Sequence, residues 1–503
     1  MSGMVFVLGA IAVYLIGMLL IGVAYSKNSS SEDFYLGGRR LGPVVTAMST
    51  EASDMSAYLL MGVPGLAMFC GVAEASWTAI GLAAGTYLNW LIVARRLRRY
   101  SAVTGSITVP EFLSRRFRDS SRVIETVGAL VIIIFFVPYT ASGFAACGKL
   151  FNSLFGFDYE TAMLLSAAVI VAYCALGGFM AASVTSLIQS IVMTAALVIV
   201  LFFGAKAAGG WGAVMDNARS VPGYLSLAAS TNILSASAGR YTPLMVVSTL
   251  AWGLGYFGMP HILVRFMAIR KPSEIKKSAT IAIIWVTISL AASLIIAYLG
   301  RMIVAGELLP DGLQATVFIH LARRFFPPFL SGILLAAIIA ASMSTADSQL
   351  LVASSSFTND IYKPLIRKNA SDKELVWVAR GVVAVVAIIA YFLASARGEG
   401  AQAIMDMVEN AWGLFGSAFG PVVLLSVFWK RFNYWGAVAG VVGGAVTDIL
   451  WYNLLSSTTG VYELFPGFVV GMLCAVVVTL LTKAPSAEVV AIFDKATDPE
   501  NDE

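Results

Sequence analysis

The stretch STEASDMSAYLLMGVPG, residues 49–65, places Glu51 and Asp54 among hydroxyls and small residues inside an apolar run. An isolated acid in a bilayer costs at least about 2.5 to 3.5 kcal/mol, so both carboxylates need a partner or water. Two chemistries answer that need. Asp54 caps a broken half-helix or pairs with a loop arginine such as Arg39; alternatively, the stretch coordinates a cation through carboxylate, hydroxyl and freed backbone carbonyl oxygens, the ligands that hard ions prefer. The density of such groups favours the second.

A further cluster lies in AAIIAASMSTADSQLLVASSS, where Ser344, Thr345, Asp347 and Ser348 interrupt an apolar helix. Singly, such hydroxyls bond back to their own helix. Ser344, Asp347 and Ser348 stand at i, i+3 and i+4, so they share a face and present oxygen ligands together. Trp252, Tyr256 and Pro260 recur at four-residue spacing, which on a helix stacks two rings above the proline. Gly253, Gly255 and Gly258 beside them allow close approach of backbone and ligand. With Tyr139 in FFVPYTASG, these rings can enclose a small apolar moiety while half-helix N-termini receive a carboxylate, the description of a compact zwitterion.

The elements that carry these groups are membrane helices. Of 503 residues, 58% are hydrophobic and 12% charged, and the mean hydropathy is +0.82, far from a soluble domain. About thirteen apolar runs approach the length of a bilayer span: 4–26, 43–69, 72–94, 124–150, 160–182, 184–206, 240–266, 279–303, 328–355, 376–396, 403–429, 433–454 and 462–482. The basic loops at Arg39 and Arg40, 95–118, 270–277, 363–373, Lys430 and Arg431, and Lys483 follow odd-numbered spans. This places the N-terminus outside and the C-terminus inside. Arg323 and Arg324 fall on the outer side, in an amphipathic segment, DGLQATVFIHLARRFF. The first span reads as retained, and the tail after Lys483 as a solvated end.

A net charge of +4 is too small to suggest nucleic acid. Cys70, Cys147, Cys174 and Cys474 lack metal-ligand spacing and read as small buried hydrophobes. His261 and His320 have no second ligand at metal spacing, and neither a phosphate-cradling glycine loop nor a hydrolase triad is visible. An enzyme is therefore not expected, nor a cofactor beyond a coupling ion. The second and seventh spans are both interrupted, and paired interruptions five spans apart point to a transport site between inverted repeats.

These stretches resemble the sodium/solute symporter family, above all its sodium/proline symporters. The resemblance is carried by YLGGRRLGP, ASDMSAYLLMGVPG, FFVPYTASG, WGLGYFGMPHILVRFMA, MST, SQLLVASS, KELVWVAR, FGPVVLLSVFW and LLTKAPSA, nearly end to end. It implies an all-α polytopic membrane protein in a LeuT-like fold: one transporter domain over 1–483, with inverted five-helix repeats at about 41–206 and 240–396. Extra helices lie at about 4–26, 403–429, 433–454 and 462–482, with the core closing near 429 and a cytoplasmic tail at 484–503.

By the same resemblance, sodium sits on backbone oxygens of Ala52 and Met55, on Ala341, and on the hydroxyls of Ser344 and Thr345, with Asp54 required for sodium-driven transport. Ser56 lies where ion and substrate meet, and Tyr139, Trp252, Tyr256 and Pro260 surround proline. Relatives carry glycine at the position of Glu51, aspartate at that of Ser186 and serine or similar at that of Asp347. Ser186, Asp347 and Ser348 are thus expected as a second cation site and Glu51 as a coupling residue.

The implied activity is sodium-coupled proline symport into the cell, in a bacterial cytoplasmic membrane, with proline, sodium and the bilayer as partners and no obligate protein partner. The alternatives are another small solute or proton coupling on the same fold, and an amino-acid-sensing membrane protein.

Overall fold

The computed structural model describes residues 2–26, 30–232, 237–397 and 401–498. Among these, ten helices are long and apolar enough to cross a membrane. The segments expected at 160–182 and 184–206 form one helix, Tyr159–Ala207, bent at Gly178, whose φ of 62° is a conformation that costs a residue with a Cβ more than it costs glycine. Asp158 caps this helix by accepting from the Thr161 N–H at 3.0 Å. That bond holds the Asp158 carboxyl below the usual carboxylate range.

Two transmembrane paths are broken, as the sequence predicts. The first runs from Pro43–Met55 through a 3-10 turn at Ala57–Leu59 to Gly62–Cys70, and its hinge is Ser56, at φ 48°. The second runs from Pro243–Leu250 through a 3-10 segment, Ala251–Phe257, to Pro260–Ala268. Proline at the first position of three of these pieces, Pro43, Pro243 and Pro260, fits helix starts, where no N–H is needed. The 3-10 segment lies tight against the helix Val72–Leu88: a Cβ on Gly253 would collide with the Gly81 carbonyl, and one on Gly85 with Gly253 itself.

The helix Pro328–Ser355 runs through the middle, buried over most of its length and packed against Ser2–Ala24, Val123–Phe155 and Tyr159–Ala207. A hairpin of Ala229–Asn232 and Ser237–Arg240 pairs antiparallel, Ala229 opposite Arg240. The amphipathic segment forms a helix, Val317–Phe325, with Phe318, Ile319 and Leu321 buried.

The stretch after Lys483 departs from the expected solvated tail. Ala487–Thr497 is a helix whose Val489, Phe493 and Ala496 are buried, at the i, i+4, i+7 spacing of one helical face. Phe493 meets Tyr100 edge-on at 6.0 Å and lies under the Arg116 guanidinium, while Lys430 pairs with Asp494 at 2.8 Å. Residues 499–503 lie outside the described residues. The four cysteines are free, Cys147 and Cys174 buried.

Candidate functional site

The two breaks face each other. Unwinding at Ser56 frees backbone groups of the preceding turn, and the central helix supplies hydroxyls opposite them. Ser344 Oγ lies 2.7 Å from the Ala52 carbonyl and 3.0 Å from that of Ala341, and Thr345 Oγ1 lies 3.2 Å from the Ala341 carbonyl. Ala52, Ala341, Ser344 and Thr345 thus form one buried group of oxygens joining the first broken path to the central helix. Met55 is buried at the last position before the hinge.

Asp54, one turn from Glu51, accepts a hydrogen bond from the Tyr256 hydroxyl across the gap to the second broken path. Glu51 is 1% exposed. Its Oε1 accepts from the indole of Trp90 at 3.0 Å, while Oε2 has no hydrogen-bond partner among the described residues. Trp90 lies in a π-helical stretch, Asn89–Ala94, whose Asn89 donates to the Tyr256 carbonyl at 2.9 Å. Arg39 does not reach Asp54: it donates to the Ser101 hydroxyl and the Met267 carbonyl, each at 2.9 Å, and to the Ser106 carbonyl at 2.7 Å.

A cavity of about 500 Å³ lies against this group, lined by Ser56, Tyr58, Tyr139, Trp252, Thr345 and Gln349 and reaching the surface at Gly312. Thr345 belongs to both the oxygen group and the cavity wall. Asp54, Met55, Ser56, Tyr139, Trp252 and Trp412 also line a small space beside it. At the other end, Arg39, just before the first path, bonds the Met267 carbonyl of the second, and Arg98, from the helix Arg95–Thr104, bonds the Ile269 and Arg270 carbonyls that follow it. A separate cleft of about 920 Å³, lined by Arg115, Arg118 and Lys363, contains none of the site residues.

The aromatic wall differs from a helical stack. In a 3-10 segment residues four apart are turned about 120° from each other, so Trp252 and Tyr256 do not share a face. Trp252 is instead sandwiched between Tyr58, at 5.7 Å and 8°, and Tyr462, at 5.1 Å and 22°. Tyr256 meets Trp412 edge-on at 5.2 Å, and the Trp412 indole donates to the Trp252 carbonyl at 2.9 Å. Pro260 opens the next helix and lines neither space. Tyr58, Trp90, Trp412 and Tyr462 escaped the sequence reading. Tyr58 lies inside the motif already singled out, whereas Trp412 and Tyr462 carry no local signal.

The residues expected to take a second cation are partly assembled. Asp347 accepts from the Tyr173 hydroxyl at 2.6 Å and from Ser348 at 2.9 Å, but the Ser186 hydroxyl has no partner among the described residues. Arg265, 1% exposed, donates to Ser348 Oγ at 2.7 Å, to Ser49 Oγ at 3.3 Å and to the His261 carbonyl at 2.9 Å. A guanidinium therefore already stands one hydroxyl from Asp347.

The model of the sodium:solute symporter family matches residues 34–444. The chain belongs to the sodium:solute symporter family. It is therefore a multi-pass membrane transporter and not an enzyme. Within the family it is 44% identical to the high-affinity proline transporter PutP of Bacillus subtilis (strain 168), covering 96% of this chain and 99% of that one. It is 42% identical to the osmoregulated proline transporter OpuE of the same organism, covering 96% of each, and 42% identical to the sodium/proline symporter of Escherichia coli (strain K12), covering 96% and 95%. In structure it is similar to a Na+-coupled sialic acid symporter in a substrate-bound outward-open state, with TM-score 0.79 and 19% identity over 96% of this chain and 99% of that one. This family member thus shares the fold of LeuT-like transporters.

Proposed function

We propose that the chain carries proline and sodium together into the cell across the cytoplasmic membrane, by alternating access. The observation that carries this is Thr345, whose hydroxyl touches the Ala341 carbonyl of the oxygen group and whose side chain lines the cavity. Sodium binds the carbonyls of Ala52, Met55 and Ala341 and the hydroxyls of Ser344 and Thr345, which pins the hinge at Ser56. Proline then fits between Ser56, Tyr139 and the ring of Trp252, with Tyr256 held by Asp54 and Pro260 starting the helix behind.

Sodium must raise proline affinity by the factor by which proline raises sodium affinity. At a membrane potential of 100 mV, one entering cation contributes about 2.3 kcal/mol, enough for roughly fiftyfold accumulation. The reading includes about thirteen spans, the N-terminus outside, the C-terminus inside, a core of two inverted repeats, and Ser186, Asp347 and Ser348 as the second cation region. The three proline-transporting relatives support the substrate, and the aromatic wall of the cavity suits it.

The test is uptake of radiolabelled proline into proteoliposomes, with sodium or proton gradients imposed at matched membrane potential. Accumulation driven by sodium is expected, and none with either gradient would overturn the reading. Proton coupling is the second reading, favoured by the partnerless Glu51 Oε2. If Glu51 carries the coupling proton, Glu51→Gln makes uptake independent of external pH, and a pH profile unchanged from wild type removes it from that role.

A further inference from the structure

Behind the aromatic wall, in the last helices of the chain, a second pair of acids is buried. Asp448, in Tyr434–Leu454, is 1% exposed, and Glu463, just before Leu464–Leu481, is 3% exposed. The Ser417 hydroxyl, from Ala401–Phe428, lies 2.8 Å from Asp448 Oδ2 and 3.4 Å from the Leu464 carbonyl. Glu463 Oε1 has no hydrogen-bond partner among the described residues. Both carboxylates face one point: a Cβ on Gly413 would stand 3.2 Å from Asp448 Oδ2 and 3.4 Å from Glu463 Oε1. Among the described residues, neither forms an ion pair with a Lys or Arg.

Two neighbouring acids without a counter-charge do not both stay ionised in a dry interior. The space between them holds either a shared proton or a cation. The donors that these residues offer are hard oxygens, namely two carboxylates, one hydroxyl and one carbonyl, a set that suits sodium or calcium and not a transition metal. We propose that Asp448, Glu463, Ser417 and the Leu464 carbonyl bind a hard cation that stays with the protein while transport proceeds. A charge of −2 fits calcium, which also accepts irregular geometry completed by water.

The location gives this cation work to do. Glu463 follows Tyr462, whose ring covers Trp252, whose N–H donates to Ser248 Oγ at 2.8 Å and whose hydroxyl donates to the Glu409 carbonyl at 2.8 Å. Gly413 follows Trp412, which bonds the Trp252 carbonyl. A cation bridging Asp448 and Glu463 fixes the start of the Leu464–Leu481 helix and with it the outer face of the aromatic sandwich. Its effect on substrate affinity rests on the proline reading; its binding does not.

The test is therefore made without proline and without a gradient, on the purified full-length chain. Equilibrium binding of 45Ca2+ and of 22Na+ is measured for wild type, Asp448→Asn, Glu463→Gln and Ser344→Ala. One site is expected that weakens at least tenfold in the first two variants and persists in Ser344→Ala; whether calcium or sodium shows it names the occupant. Should the charge variants fold poorly, Ser417→Ala, which leaves both acids, is expected to weaken the same site. Terbium luminescence excited through the nearby Trp412 and Tyr462 then reports on wild type directly. Binding of both ions unchanged by these substitutions, with no sensitised terbium emission, overturns the cation and leaves the shared proton. Loss of proline uptake alone bears on the proposed function and not on this site.

Discussion

Tyr256 gives Asp54 its one described hydrogen bond, so this acid joins the two broken paths as well as standing beside the ion oxygens. Asp54→Ala is expected to remove sodium-driven uptake at least tenfold, measured as initial rate against sodium concentration; near-normal rates at low sodium would exclude the role. Trp252 tests the other half of the site. Its ring lies between Tyr58 and Tyr462 with one edge on the cavity, and losing an aromatic contact of this kind costs about 1 kcal/mol or more beyond its burial. Trp252→Ala should therefore weaken proline binding at least fivefold while sodium binding stays within twofold, as read by titrating each ligand separately.

At the level of elements, the breaks were legible because glycine and proline mark them. Gly-Val-Pro-Gly at 62–65 and the glycines of WGLGYFG signal interrupted helices, and the first path breaks a few residues before the former, at Ser56, while the second breaks within the latter. The type of turn was not legible. Four-residue spacing stacks rings only on an α-helix, so the expected pairing of Trp252 with Tyr256 failed once the segment tightened to a 3-10 turn. Partners distant in sequence were invisible for a similar reason: Trp412 reaches Trp252 from a helix 160 residues away, and Tyr462 from the connection before Leu464–Leu481, 210 residues away. The close crossing at Gly253 carries its own prediction. Gly253→Val forces the 3-10 segment off the Val72–Leu88 helix, an overpacking cost of about 1 to 3 kcal/mol. The thermal midpoint in detergent should fall, and an unchanged midpoint would show that the segment yields without strain.

Across the whole molecule, hydropathy and bilayer length pick out apolar helices, ten of them long enough to cross a membrane among the described residues, yet they divide the single helix Tyr159–Ala207 in two. They missed the helix after Lys483, which is too polar to resemble a span and is held by contacts with the helices Arg95–Thr104 and Val109–Phe117 and with Lys430. Phe493 is its anchor, and Phe493→Ala removes a ring packed against Tyr100 and Arg116, worth about 3 kcal/mol in a well-packed site. Protease sensitivity of the C-terminal segment is expected to rise sharply, and resistance equal to wild type would show that the other contacts suffice. Arg265 has a consequence of a different kind. Its guanidinium balances charge beside Ser348 and Asp347 yet is bonded covalently to the chain, so it never crosses with the cargo. An electrode recording turnover counts only ions that depart, and this arginine adds nothing to the current drawn per cycle.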